Sequence, residues 1–167
     1  MLDDERYSLV AWDDPILRRC SRPLEEPLID LYDKAELLYR LMREFEGVGL
    51  AANQIGLEDR MFVYQLHERQ DPIALVNPEI IEYGLPKTPM IEGCLSIPGF
   101  TFFINRYSKV TVKALDLDGN EVVVEADEPL SQVFQHEIDH LNGFRVIDRI
   151  LKKEKKEFLR TLKSTTS

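Results

Sequence analysis

Two histidines four residues apart constrain this chain more than any other feature. His136 and His140 stand in His136-Glu137-Ile138-Asp139-His140, and a helix turns both imidazoles to one side. Ring nitrogens so spaced converge on a single divalent cation, and Glu137 between them reaches a water on that cation without ligating it. Two of the chain's three histidines lie here. The flanking residues predict the helix that this geometry requires. Pro129 suits its first turn, Glu128 suits the positive end of its dipole, and Asn142-Gly143 closes it after Leu141. Leu130, Val133, Phe134, Ile138 and Leu141 recur at steps of three and four, the period of a core-facing helix.

The rest of the chain reads as strands and two further helices. The stretch to Pro27 is irregular, with Pro15, Pro23 and Pro27. From about Leu28 to Phe45, Leu31, Ala35, Leu38, Leu41, Met42 and Phe45 keep helical spacing, and Gly47 and Gly49 stop it. Met61–Leu66, Ala74–Val76 and Ile80–Ile81 read as short strands, punctuated by Asp71-Pro72 and Asn77-Pro78. Val110–Leu115 and Val122–Val124 flank Asp118-Gly119-Asn120 as a hairpin. A last amphipathic helix, about 149–164, carries Leu151, Phe158, Leu159 and Leu162 among many lysines. The fold class is therefore α+β: antiparallel β-strands packed around a central helix carrying HExxH, with an N-terminal helix and a C-terminal helix.

Composition narrows the functions. The chain has 167 residues, 44% of them apolar, which predicts one domain over residues 1–167 with a real core. A net charge of −9 argues against a specific nucleic-acid surface and against a polybasic membrane patch. No apolar run reaches transmembrane length, and the start at Met1 has no secretory pattern, so a cytoplasmic protein is expected. Two cysteines are too few for a disulfide framework. Cys20, in Arg18-Arg19-Cys20-Ser21, reads as an ordinary thiol.

Two imidazoles leave a catalytic cation needing a third protein ligand and an open position. Downstream carboxylates are available at Asp148, Glu154 and Glu157, but they lie in or near a solvated tail. Cys94 is the better candidate, because Gly93, Pro98 and Gly99 bend the backbone around it. A cation so held lowers the pKa of bound water from ~15.7 to as little as ~7. Glu137 would take the proton and return it to a leaving amine. The developing oxyanion needs donors, and the Gln54 amide and the Leu95 N–H are candidates. Read alone, Gly47 to Gln54 would be a helix stop and tight turn. It lacks the Lys-Ser/Thr ending of a phosphate-binding loop. Another HExxH amidase or peptidase is the alternative, distinguished by a carboxylate or histidine as third ligand. A structural metal module would close its coordination sphere with more cysteines than Cys20 supplies.

Taken together, three segments resemble the peptide deformylases. The family's Gly-x-Gly-x-Ala-Ala-x-Gln, Glu-Gly-Cys-x-Ser and Gln-His-Glu-x-Asp-His-Leu-x-Gly motifs read here as Gly47 to Gln54, Glu92 to Ser96 and Gln135 to Gly143. The likeness runs from about Asp14 to Arg149. It implies an α+β hydrolase that removes the formyl group from N-formylmethionyl nascent peptides and releases formate. Carried over, Cys94, His136 and His140 bind the metal and Glu137 is the general acid/base. Gln54 and the Leu95 N–H stabilise the oxyanion, and the Gly49 carbonyl holds the formyl N–H. The working ion is then Fe²⁺, with Zn²⁺, Ni²⁺ or Co²⁺ able to occupy the site. The setting is a bacterial, phage-infected or organellar compartment, and the chain is expected to be a monomer. The ribosome is an expected partner, for which the C-terminal lysine-rich helix is the one suitable feature.

Val48, Met90 and Val133, with Glu92 and Gly93, are expected to line the slot for the methionine side chain, and Arg106 to pair with Glu92 behind the metal. The chain departs from the family's pattern at Gln132, Glu128-Pro129, Thr101 and Asn53. These bear on peptide affinity and side-chain preference rather than on the reaction.

Overall fold

The computed structural model describes residues 6–25, 30–68 and 70–165. Met1, Pro27 and Leu28, on which part of the sequence reading falls, lie outside the described residues. Among those described, the architecture is α+β, with one five-stranded antiparallel sheet in the order β1-β2-β3-β4-β5 and three α-helices. The strands are β1 (Gly49–Ala51), β2 (Met61–Tyr64), β3 (Ile73–Cys94), β4 (Ile97–Leu115) and β5 (Glu121–Asp127). The helices are α1 (Leu31–Glu44), α2 (Leu130–Leu141) and α3 (Lys152–Thr165).

Strand alternation divides the core between the two sheet faces. Leu50, Met61, Val63, Ala74 and Val76 point toward α1 and pack with its Leu31, Ala35, Leu38 and Met42. Their neighbours Ala51, Phe62, Tyr64 and Leu75 point the other way, toward Phe134, Ile138 and Leu141 of α2. Phe134 is fully buried there, edge-on to Phe62 (5.7 Å) and Tyr64 (5.0 Å). A third cluster forms under α3, where Phe158 meets Trp12, Phe100 and Phe102 edge-on.

Several boundaries differ from the sequence reading. α1 ends at Glu44, before Gly47, and Gly49 opens β1 rather than stopping the helix. Ala74–Val76 and Ile80–Ile81 belong to one long strand, β3, that runs through Asn77-Pro78, Pro86 and Pro89. Shifts of register at Val76/Glu79 and Gly84/Lys87 accommodate Pro78 and Pro86, which have no N–H to give to the ladder, while Pro89 stays in register opposite Asn105. The predicted hairpin around Asp118-Gly119-Asn120 is present, joining β4 and β5. α3 begins after Leu151, whose side chain is exposed, so Leu151 is no part of its apolar face. No helix among the described residues is long and apolar enough to cross a membrane.

Candidate metal centre

Three elements meet at one end of α2. The β3–β4 hairpin turns tightly through Leu95-Ser96, since Cys94 pairs with Ile97, and this presents Cys94 at its tip. α2 presents His136, Glu137 and His140. A 3₁₀ turn, Ala52–Ile55, follows β1 and carries Gln54. The N-terminal segment straps these together: the Val10 N–H donates to the Gln54 carbonyl (2.8 Å) and the Trp12 N–H to the Ser96 carbonyl (3.0 Å). Asn53 ties the same turn to the helix, its Nδ2 donating to the His140 carbonyl at 2.6 Å.

Sγ of Cys94 lies 3.3 Å from Nε2 of His140, and the two Nε2 atoms are 3.2 Å apart. All three donor atoms fall within 4.8 Å of one another. Metal–sulfur bonds of ~2.3 Å and metal–nitrogen bonds of ~2.0–2.1 Å give tetrahedral edges of about 3.3–3.6 Å, so the trio fits a divalent cation. The charge argument agrees. Nδ1 of His136 sits 2.9 Å from Oε2 of Glu92, which places its proton there and leaves a lone pair on Nε2 facing the other ring. Three electron-rich atoms pointed at one spot require positive charge between them. Without a cation they take up a proton. Burial works against charging either group, yet the imidazoles hold Cys94 well below the usual thiol range, and Cys94 and Glu92 hold His136 well above its own. Asp148, Glu154 and Glu157 are not in this cluster, and Asp148 is engaged by Arg145 and Lys155.

Glu137 is buried one residue along from the first imidazole. Burial raises it to about 6 against the pull of the two histidines, and its Oε2 has no hydrogen-bond partner among the described residues. A proton acceptor poised near neutrality beside a cation site suits acid/base work. Gly49 allows the approach: a Cβ there would stand 2.5 Å from Oε1 of Glu137. Gln54 is also buried, and its amide is oriented by its Oε1, which accepts from the Ala51 N–H at 2.9 Å. Its Nε2 then faces Sγ of Cys94 (3.6 Å) and Oγ of Ser96 (3.4 Å), an N–H donor directed at the metal donors.

Cys94 and His136 open on a cavity of about 680 Å³. Its wall includes Val48, Gly49, Gln54, Glu92, Gly93, Leu95 and Val133 from the predicted set, together with Ile91, Phe100 and Gln132. Met90 does not reach it. A strand advances about 3.3 Å per residue, so two residues before Glu92 the side chain lies beyond the cavity end; it is buried opposite Ile104 instead. Gln132 turns its Nε2 to the Ile91 carbonyl at 2.8 Å.

Behind the cavity the expected pair is present. Arg106 Nε and Nη2 grip both oxygens of Glu92, at 2.7 and 2.9 Å. Burial would raise Glu92, but these bonds and His136 outweigh it and hold the carboxyl at about 2. Two partners went unread in the sequence, Asp139 and Arg149. Arg106 Nη1 donates to Asp139 at 2.6 Å, and Arg149 grips the same carboxylate. A carboxylate inside an otherwise core-facing helix is the signal that could have found them, because a buried charge needs a partner.

The family described as Polypeptide deformylase matches residues 7–156. The peptide deformylase of Halothermothrix orenii is 45% identical over 139 residues, 83% of this chain and 90% of that protein. That of Carboxydothermus hydrogenoformans is 42% identical over 86% of this chain and 92% of its own length. The crystal structure of a Synechococcus elongatus peptide deformylase in complex with actinonin superposes with a TM-score of 0.89 at 30% identity, covering 98% of this chain and 90% of that one.

Proposed function

This chain belongs to the peptide deformylase family, and from that membership we propose how its residues divide the reaction. It is a metal-dependent hydrolase that removes the N-terminal formyl group from nascent peptides, releasing formate. The convergence of Cys94, His136 and His140 beside a buried Glu137 carries the reading.

Cys94, His136 and His140 hold the cation, which when bound supplies Lewis-acid polarisation of the formyl oxygen and a water of lowered pKa. Fe²⁺ is our reading of the working ion; a thiolate with two imidazoles accepts Zn²⁺, Ni²⁺ and Co²⁺ as well. Glu137 accepts the proton of the attacking water and delivers it to the leaving amine. Gln54 Nε2 and the Leu95 N–H donate to the developing oxyanion, and the Gly49 carbonyl accepts from the formyl N–H. Val48 and Val133, with Glu92 and Gly93, form the slot for the methionine side chain. Glu92, held by Arg106, keeps the Nδ1 proton of His136 in place.

The whole chain is read as one catalytic domain with α2 as its central helix, a view supported by the packing of α2 against the strands of the sheet. A cytoplasmic monomer meeting its substrate as it leaves the ribosome completes the reading, with Lys152, Lys153, Lys155, Lys156, Arg160 and Lys163 of the C-terminal segment as the cationic contact. The test is formate release from a formyl-Met peptide by metal-loaded protein, beside Glu137→Gln. The variant is expected to keep its metal and lose at least about 10²-fold in kcat. A fully loaded parent that leaves the formyl peptide intact would overturn the assignment.

A further inference from the structure

Behind the metal donors a line of charges leads out to the entry of α3. Arg149 Nε donates to Oδ2 of Asp139 at 2.9 Å, and its Nη2 donates to Oδ1. Oδ2 also accepts from Arg106 Nη1 at 2.6 Å, and Arg106 grips Glu92 through its other two nitrogens. Glu92 accepts from Nδ1 of His136 at 2.9 Å. Asp139, Arg106 and Glu92 are buried, whereas the Arg149 side chain keeps 41% of its exposure and lies over the Phe144 ring, 4.7 Å from its centroid.

We propose that Arg149 is a positioning residue for the metal ligand His136, acting through Asp139, Arg106 and Glu92. The inference rests on Cys94, His136 and His140 being the metal donors. Two cations alternate with two carboxylates in this chain, so its charge balances. Without Arg149, a single guanidinium would serve two buried carboxylates. Arg106 already spends one N–H on Asp139, and an Asp139 stripped of its second cation draws it further from Glu92. Glu92 then holds the Nδ1 proton of His136 less firmly, and the ring that presents Nε2 to the cation loses part of its orientation. Arg149 touches neither cavity wall nor donor atom, so its effect should register as metal retention. The Phe144 contact and the bidentate grip on Asp139 both favour the planar guanidinium; a lysine could supply the charge with only one of these bonds.

The experiment measures the dissociation rate of Zn²⁺ from the full chain by chelator competition. Its variants are Arg149→Ala, Arg149→Lys, Asp139→Asn and the double variant Arg149→Ala/Asp139→Asn. Loss of a direct outer partner of a ligand costs about 10–100-fold, so Arg149→Ala, three links further out than Glu92, should release zinc about 3–10-fold faster, with Arg149→Lys recovering part of the loss. In the Asp139→Asn background the same Arg149→Ala step should change the rate by less than about twofold, because its route is already cut; a merely structural role would give additive effects. Where the alanine variant does not fold, Arg149→Gln, which keeps the stem over Phe144, is held to the same criteria. An Arg149→Ala rate within about twofold of the parent, or an Arg149→Ala effect undiminished beside Asp139→Asn, overturns the inference. A parent chain that retains no zinc would instead defeat the metal reading itself, an outcome visible before any variant is compared.

Discussion

Gly49→Ala presses on Glu137 without replacing it. The added methyl would stand 2.5 Å from Oε1, 3.0 Å from Cδ and 3.1 Å from Cγ of Glu137. Ordinary carbon contacts lie at about 3.5–4.0 Å, so something must move by roughly 1 Å. Gly49 cannot retreat freely, because β1 is paired with β2 through Gly49 and Tyr64. Glu137, only 4% exposed, has little room on the other side. Overpacking of this kind costs about 1–3 kcal/mol of stability, or about 2–4 °C in Tm per kcal/mol for a chain of this size. The catalytic effect should be larger. A 1 Å displacement of a positioned group costs about 10²-fold in rate, close to 2.7 kcal/mol of barrier. Formate release from a formyl-Met peptide gives kcat and KM, and metal content is measured on the same samples. The expected result is a fall of about 10²-fold in kcat with metal retained and KM within a few-fold of the parent. Gly56→Ala serves as the control: among the described residues nothing beyond its chain neighbours lies within 4 Å of its Cβ, and its φ of +84° charges the substitution to backbone strain alone, so stability drops while kcat does not. A loaded Gly49→Ala enzyme turning over within about threefold of the parent would refute both the placement and the role of Glu137.

Phe134→Ala empties the centre of the α2 face of the core, where the ring is fully buried, and should cost about 3–5 kcal/mol by thermal or chemical unfolding; a loss under about 1 kcal/mol would mean that the site collapses around the cavity. Asp148 is held below the usual carboxylate range: partial burial raises it, but bonds from Arg145 and Lys155 outweigh that. A depressed folded pKa gives stability that is present above the unfolded value, ~3.9, and lost as pH falls through the folded one. Asp148→Asn should therefore lower Tm at pH 7, by an amount that solvent screening limits to about 1 kcal/mol, and the gap to the parent should close in acid. A gap that stays constant from pH 7 to strongly acid solution would contradict this.

The helices and the β4–β5 hairpin were legible because their signals are local. Periodicity locates α1 and α2 to within a few residues, and the Asp118-Gly119-Asn120 turn is built from its own side chains, with Asp116 accepting from the Asp118 and Asn120 N–H groups at 2.9 Å. β3 was not legible as one strand. Asn77-Pro78 reads as a break, yet Asn77 takes a positive φ of 50° and its side chain bonds to both N–H and carbonyl of Leu24, so the break is absorbed as a bulge. Its partner is distant in sequence, and no local rule predicts it. The same holds for the run from Arg149 to Glu92, which links residues from β3, β4, α2 and the entry to α3.

The donor set was legible as chemistry, but the sequence motifs say nothing about why the donors meet. Geometry supplies the reason. Residues i and i+2 of a strand share a face and stand about 6.6 Å apart, while residues i and i+4 of a helix stand about 6 Å apart along its axis. Glu92 and Cys94 are such a strand pair, and His136 and His140 such a helix pair. Glu92 meets His136 at 2.9 Å and Cys94 meets His140 at 3.3 Å, so strand and helix run side by side with matched steps. Slipping β3 by one residue would turn Glu92 and Cys94 to the opposite face and bring Ile91 and Gly93 to the imidazoles. The hairpin's register is therefore part of the active site. The register shift at Gly93/Cys94, next to the tight turn through Leu95-Ser96, lies where the strand must deliver its last side chain to the metal donors.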